Sequence, residues 1–194
     1  MQNNKTIEAP WHPEEPQYFG PETRSLFLSG PINANTTKNI ISQLLELNAR
    51  SQDTIRLYLN TSGGNLTDAF AIYDTIKAIR APVHTIVKGM CASGGLIVLL
   101  AGCKKFASKN SLFFYHQPVM FLNQVSSIEQ SNGLSEAYSL SKALFDGKII
   151  SETKIKPELW NENFKGRTYK YFNSKEAKTF GFINSLIKYD IGSE

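Results

Sequence analysis

Residues 83–101 read VHTIVKGMCASGGLIVLLA, and in this stretch a strand pattern passes into a helix pattern. Residues 83–89 are rich in β-branched side chains, which predicts a strand, and residues 93–101 predict a short apolar helix after a tight turn. Ser93 lies at the start of that helix, where unpaired backbone N–H groups favour negative charge. A serine is also a preferred helix N-cap, so this segment alone leaves a catalytic and a structural interpretation open.

The same alternation extends to both sides of this segment. Other strand patterns occur at residues 25–29, 55–60, 104–108, 111–116 and 182–186. Helix patterns occur from Asn35 or Thr36 to Leu47, and at residues 66–79, about 125–151 and 174–179. Repeated strand–helix units predict an α/β protein whose parallel strands are joined by right-handed crossovers.

Composition divides the chain into an arm and a domain. Residues 1–22 contain four of the eight prolines and show no apolar period, which predicts an extended N-terminal arm. Residues 23–194 form the predicted globular domain. The hydrophobic share of 41% excludes a disordered chain.

Several function classes are disfavoured by charge and residue usage. The formal net charge is +4, and residues 141–180 alone carry an excess of +4. A nucleic-acid binder usually has a denser basic face with interleaved aromatic residues, so this stretch is interpreted as a solvated helical surface and nucleic acid is not an expected partner. The longest apolar run, residues 96–101, is too short for a membrane helix, and no secretory signal is visible, so we expect a soluble cytoplasmic protein. Cys91 and Cys103 are predicted to be buried, reduced thiols. With the three histidines they form no recognisable ligand set, so we expect no metal and no cofactor.

Two further segments are candidates for chemistry. The turn NTSGG, residues 60–64, follows a strand, and its adjacent glycines can turn an amide outward as an oxyanion donor or simply satisfy an ordinary turn. Its spacing matches neither a P-loop nor a dinucleotide-binding fingerprint. His116 ends an aromatic strand just before a proline. Since His12 lies in the arm and His84 inside a strand, His116 is the best-placed general base.

Taken together, six ordered motifs resemble ClpP, the proteolytic subunit of the Clp protease, over about residues 25–187. The spacing agrees as well, with 29 positions from Gly64 to Ser93. The motifs in this chain are LFLSGPI (26–32), YLNTSGG (58–64), AIYDTIK (71–77), GMCASGG (89–95), FYHQP (114–118) and NSKEAKTFGFIN (173–184).

The resemblance implies a fold and an activity. The fold would be the ClpP/crotonase-like spiral of repeated ββα units with a projecting handle helix. The activity would be that of a serine endopeptidase that cleaves polypeptides inside a homo-oligomer of stacked heptameric rings, with a Clp-type AAA+ ATPase as partner. By residue matching, Ser93 would be the nucleophile, His116 the general base, and Gly64 and Gly94 the two oxyanion-hole donors.

The chain departs from the family pattern at several positions. Tyr169 stands where the family has its catalytic aspartate, and Ser62 stands where it has a proline. Because the preceding connection is longer, Glu162 or a neighbouring asparagine, Asn161 or Asn163, is an alternative third residue, and a Ser–His dyad is the preferred expectation. Arg56 and Lys88 match positions in the apolar ATPase-docking pocket, which puts that partner in doubt. The Pro-rich arm replaces the usual axial loops and first helix.

Two alternatives to an active peptidase remain at this point. One is a catalytically weak or inactive ClpP-like subunit that builds mixed rings with an active paralogue. The other is a crotonase-type acyl-CoA enzyme, which shares the fold and the oxyanion hole but uses no Ser–His pair.

Overall fold

Strands and helices alternate along the chain in the computed structural model, which describes residues 23–119 and 128–187. The predicted arm, residues 1–22, and the first residues of the predicted long helix, 125–127, lie outside the described residues. The strands are β1 (Ser25–Ile32), β2 (Ile55–Gly64), β3 (Val83–Ala92), β4 (Lys104–Ala107), β5 (Leu112–His116), β6 (Tyr169–Asn173) and β7 (Ser185–Leu186). The helices are α1 (Ala34–Arg50), α2 (Leu66–Ala78), α3 (Gly94–Ala101), α4 (Ile128–Thr153), α5 (Pro157–Asn163) and α6 (Ser174–Thr179).

The strands form one mixed sheet. Its main path runs β1-β2-β3-β4-β7, with parallel neighbours throughout, as the strand–helix alternation predicts. One edge of β3 pairs with two strands: its first half pairs with β4, and its last residues, 90–92, pair with β5. β6, which the sequence pattern did not predict, is antiparallel to β5, so the sheet is not parallel throughout. The reason is that the chain returns through α4 and α5 to the end of the sheet at which β5 finished.

Helix α3 is the centre of the core. All eight of its residues are buried, because it contacts β2 and β3 on one side and α2 and α4 on the others. A helix enclosed on all sides is apolar all round, which explains the composition of residues 94–101. β2 alternates buried positions, such as Leu57 and Leu59, with exposed ones, such as Arg56.

The sequence placed several boundaries and environments incorrectly. Helix α1 is capped by Asn33, whose side chain accepts from the amides of residues 35 and 36, and not by either residue expected. α5 and β6 were not expected at all. Cys103 is exposed rather than buried, whereas Cys91 is buried and its thiol pKa is raised by desolvation.

Helix α4 is long and only partly covered. Phe145 and Ile149 are buried against the body, whereas Leu140 and Leu144 are 60% and 53% exposed. Its first described residues, 129–133, are exposed. The helix therefore extends from the core and carries apolar side chains that the described residues leave exposed.

Candidate active site

Ser93 occupies a strained turn between β3 and α3. Its backbone has φ of 52° and ψ of −124°, a left-handed conformation that residues other than glycine rarely adopt and that costs on the order of 1–3 kcal/mol. The Ser93 amide donates to the Phe114 carbonyl of β5 at 2.8 Å, which holds the turn against the neighbouring strand. Strain of this kind at a strand–helix turn is how hydrolases expose a nucleophilic serine.

The Ser93 hydroxyl does not cap helix α3. No hydrogen bond joins its side chain to the first amides of that helix. Asn33, Asn65 and Asn173 do cap their helices through side-chain oxygens. Ser93 therefore occupies the N-cap position of α3 without making the side-chain capping hydrogen bond that the structural interpretation predicts.

Gly63 packs directly under the serine. A Cβ added to Gly63 would lie 2.4 Å from the Ala92 carbonyl oxygen and 2.7 Å from the Ser93 Cβ. Its φ of +81° is likewise a glycine conformation. The glycine pair that ends β2 thus lets two backbone turns meet, one of which carries the serine.

Gly64 and Gly94 lie side by side at this junction. A Cβ on Gly94 would be 3.5 Å from the Gly64 carbonyl oxygen and 3.8 Å from the Gly64 amide nitrogen. Gly94 is the first residue of α3, so its N–H has no acceptor within the helix. Two backbone segments, at Gly64 and at Gly94, thus bring their amides close to each other beside Ser93.

His116 shares a cavity with the serine. The cavity encloses about 700 Å³, and its walls include the ends of β1, β2 and β5, the start of α2 and part of α4. The lining residues are Pro31, Ser62, Gly63, Gly64, Asn65, Leu66, Thr67, Ser93, His116, Pro118, Val119, Ser141 and Phe145. Of the four predicted site residues, Ser93, His116 and Gly64 thus reach one space, and Gly94 lies buried beside them.

The partner of the histidine ring is a backbone carbonyl. His116 Nδ1 lies 2.6 Å from the carbonyl oxygen of Gln117. Among the described residues, no Asp or Glu side chain hydrogen-bonds to His116. Since a carbonyl only accepts, a hydrogen bond at this contact requires the proton to be on Nδ1, which would leave Nε2 as the basic nitrogen.

None of the sequence-predicted candidates for a third catalytic residue has a described side-chain hydrogen bond to His116. Tyr169 is directly opposite His116 in the β5–β6 register, and its side chain is 64% exposed. The Asn163 side chain donates to the Leu159 carbonyl within α5. At Glu162 the backbone carbonyl accepts from the Arg167 guanidinium. No sequence signal could have indicated the Gln117 carbonyl, because every residue carries one.

The outer face of the sheet is cationic where the family pattern is apolar. Arg56 and Lys88 are both exposed, and Lys88 Nζ lies 5.9 Å from the centre of the Tyr58 ring. Strand register places Arg56, His84 and Lys104 in one row across β2, β3 and β4. Burial lowers the pKa of His84, and the neighbouring Lys104 and Arg56 lower it further.

Within residues 23–119 and 128–187, no group of three or more His, Cys, Asp or Glu side chains could hold a metal ion. None of the helices in this part of the chain is long and apolar enough to cross a membrane.

Comparison with known proteins identifies the family and the fold. A family model described as Clp protease matches residues 21–190, so the chain belongs to the Clp protease family. A solved structure of a point mutant of ClpP1 from Listeria monocytogenes superposes with a TM-score of 0.77 and 25% sequence identity. The match covers 87% of this chain and 93% of that chain. The predicted ClpP-like α/β fold is thereby confirmed.

Proposed function

We propose that the chain is a ClpP-like serine endopeptidase that cleaves polypeptides, with Ser93 as nucleophile and His116 as general base. The observation that carries the proposal is the strained backbone turn at Ser93. The Ser93 hydroxyl makes no capping hydrogen bond, and Ser93 lines the same cavity as His116. Strain held by the surrounding structure at a polar residue is characteristic of functional sites.

The proposed reaction uses these two residues and the two glycine amides. His116 Nε2 takes the proton from Ser93 Oγ as the oxygen attacks the peptide carbonyl, and the Gly64 and Gly94 amides stabilise the resulting oxyanion. The imidazolium then gives its proton to the leaving amine, which breaks the peptide bond and leaves an acyl-enzyme. Water, deprotonated by the same histidine, releases the acid product and restores the serine.

Hydrolysis of a short fluorogenic peptide by the full chain tests this proposal. Steady turnover supports a working Ser–His pair. Absence of turnover by folded, assembled protein would favour the alternative of a catalytically inactive subunit. The crotonase-type alternative is less well supported, because that class does not use the Ser–His pair that this cavity presents.

We expect that Glu162 of α5 does not take the role of the catalytic aspartate, which the family pattern has at the position of Tyr169. Glu162→Gln should leave kcat and KM within about twofold of the wild-type values, because the Glu162 side chain makes no described contact with His116. Glu158→Gln, on the same helix, is the matched control. Steady-state peptide hydrolysis measures both. A large drop in kcat for Glu162→Gln alone would mean that this carboxylate supports the histidine and that the dyad is incorrect.

The apolar surface of α4 supports assembly into rings, which the family resemblance implies to be heptameric and stacked. Leu140 and Leu144, more than half exposed, are the side chains that a second copy would cover. A Clp-type ATPase is a candidate partner of such rings. The cations Arg56 and Lys88 on the sheet face would oppose insertion of an apolar loop there.

Leu144→Glu is expected to shift the chain towards smaller species, since a buried unpaired carboxylate is costly in an apolar interface. Leu45→Glu is the matched control, because Leu45 is 50% exposed on α1. Analytical ultracentrifugation at micromolar concentration measures the shift. A stable monomer for the wild-type chain would contradict assembly, and an unchanged Leu144→Glu oligomer would exclude this surface.

A further inference from the structure

Gln117, whose carbonyl oxygen contacts His116 Nδ1, is held by three hydrogen bonds. The Gln117 amide donates to the Thr168 carbonyl at 3.1 Å. Its side-chain Nε2 donates to the Arg167 carbonyl at 3.1 Å. Its side-chain Oε1 accepts from the Tyr138 hydroxyl of α4 at 2.8 Å. The side-chain amide of Gln117 therefore both donates and accepts a hydrogen bond. Together the three contacts hold the residue between α4 and the segment before β6.

The contacts limit rotation of the peptide unit whose carbonyl faces the histidine. Pro118 follows Gln117, restricts it to extended backbone and offers no amide of its own. Arg167 is itself held, because its guanidinium donates to the Glu162 carbonyl at 3.0 and 3.2 Å. Among the described residues, the hydrogen bond from the Tyr138 hydroxyl is the one side-chain hydrogen bond that joins Gln117 to α4.

We propose that Gln117 is the positioning residue of this active site: held by Tyr138 and Arg167, it presents its carbonyl to His116 Nδ1 and so does the orienting work of a triad acid, which the described residues do not supply to this histidine. The inference rests on the proposed peptidase function. A triad acid both fixes the tautomer of the histidine and stabilises its charge. A neutral carbonyl fixes the tautomer and orientation, with only its dipole to favour the imidazolium.

Tyr138→Phe tests the proposal because it removes the hydroxyl and keeps the ring. We expect kcat for peptide hydrolysis to fall about threefold to tenfold with KM unchanged, the loss of one hydrogen bond that orients the base. Tyr171→Phe is the control, since the Tyr171 side chain is 55% exposed and its hydroxyl makes no hydrogen bond among the described residues. Gln117→Ala should give a larger loss than Tyr138→Phe, because it removes both side-chain contacts.

The ring tautomer is a second measurement that needs no activity. Solid-state ¹⁵N NMR of the full-length protein labelled at histidine, at about pH 8 where free imidazole is neutral, reports which nitrogen carries the proton. His116→Gln assigns its signals among the three histidines. The wild type should show His116 protonated on Nδ1, and Tyr138→Phe should show a mixture of both tautomers.

The outcomes separate this proposal from the proposed function. Suppose that the wild-type protein shows no turnover, that its His116 is protonated on Nδ1, and that Tyr138→Phe shows both tautomers. This result would exclude the peptidase function and would support the role of Gln117 in positioning the His116 ring. Active protein in which Tyr138→Phe changes neither kcat nor the tautomer would overturn the positioning role and leave the peptidase intact. A wild-type His116 protonated on Nε2 would overturn it as well.

Discussion

Ser93→Ala is expected to abolish peptide hydrolysis, with a loss of at least about 10⁴-fold in kcat, and to leave the fold and assembly unchanged. The Ser93 hydroxyl makes no capping bond, so its removal does not incur the loss of about 1 kcal/mol that follows deletion of a helix cap. Ser62→Ala, at another serine of the same cavity, is the control and should retain activity. Peptide hydrolysis and urea unfolding measure the two effects separately.

An active Ser93→Ala variant would exclude this serine as the nucleophile. A variant that fails to fold would indicate that the hydroxyl has a structural role which the described contacts do not contain.

Gly63→Ala is expected to damage both stability and activity. The new methyl group would meet the Ala92 carbonyl at 2.4 Å and the Ser93 Cβ at 2.7 Å, so the turn that carries the nucleophile must move. We expect a loss of roughly 2–4 kcal/mol in the free energy of unfolding. In the protein that remains folded, displacement of the serine by about 1 Å would reduce kcat on the order of 10²-fold.

Gly30→Ala is a matched control for this change. Gly30 has the same φ of +81°, but a Cβ added there meets nothing within 4 Å. It should therefore lose only the conformational cost of about 1 kcal/mol and should retain activity. Urea unfolding and peptide hydrolysis compare the two variants. Equal losses in both would mean that backbone conformation alone, and not contact with the Ser93 turn, explains the requirement for glycine.

The residues that the sequence could locate are those with a local signature. Glycines at 63, 64, 94 and 95 lie where two turns approach closely, and the strand and helix around Ser93 follow from side-chain periodicity. The apolar helix α3 could be predicted for the same reason. These features depend on neighbours in sequence, and they placed the serine correctly at the junction of β3 and α3.

The residues that the sequence could not locate depend on contacts over long separations. β6 begins about fifty residues after β5 ends, and its direction and its pairing of Tyr169 with His116 follow from the path of α4 and α5. The support of Gln117 by Tyr138 joins residues 21 positions apart through side chains of ordinary polarity. Local propensity contains no information on such pairs.

The most direct test of the peptidase proposal is covalent labelling of the assembled, full-length protein by a fluorophosphonate, read by intact mass and by mapping of the modified peptide. We expect one adduct per chain, on Ser93, that is absent in Ser93→Ala and present in Ser62→Ala. Folded protein that takes up no adduct, or that carries it on another residue while Ser93 stays unmodified, would contradict the assignment of Ser93 as the nucleophile.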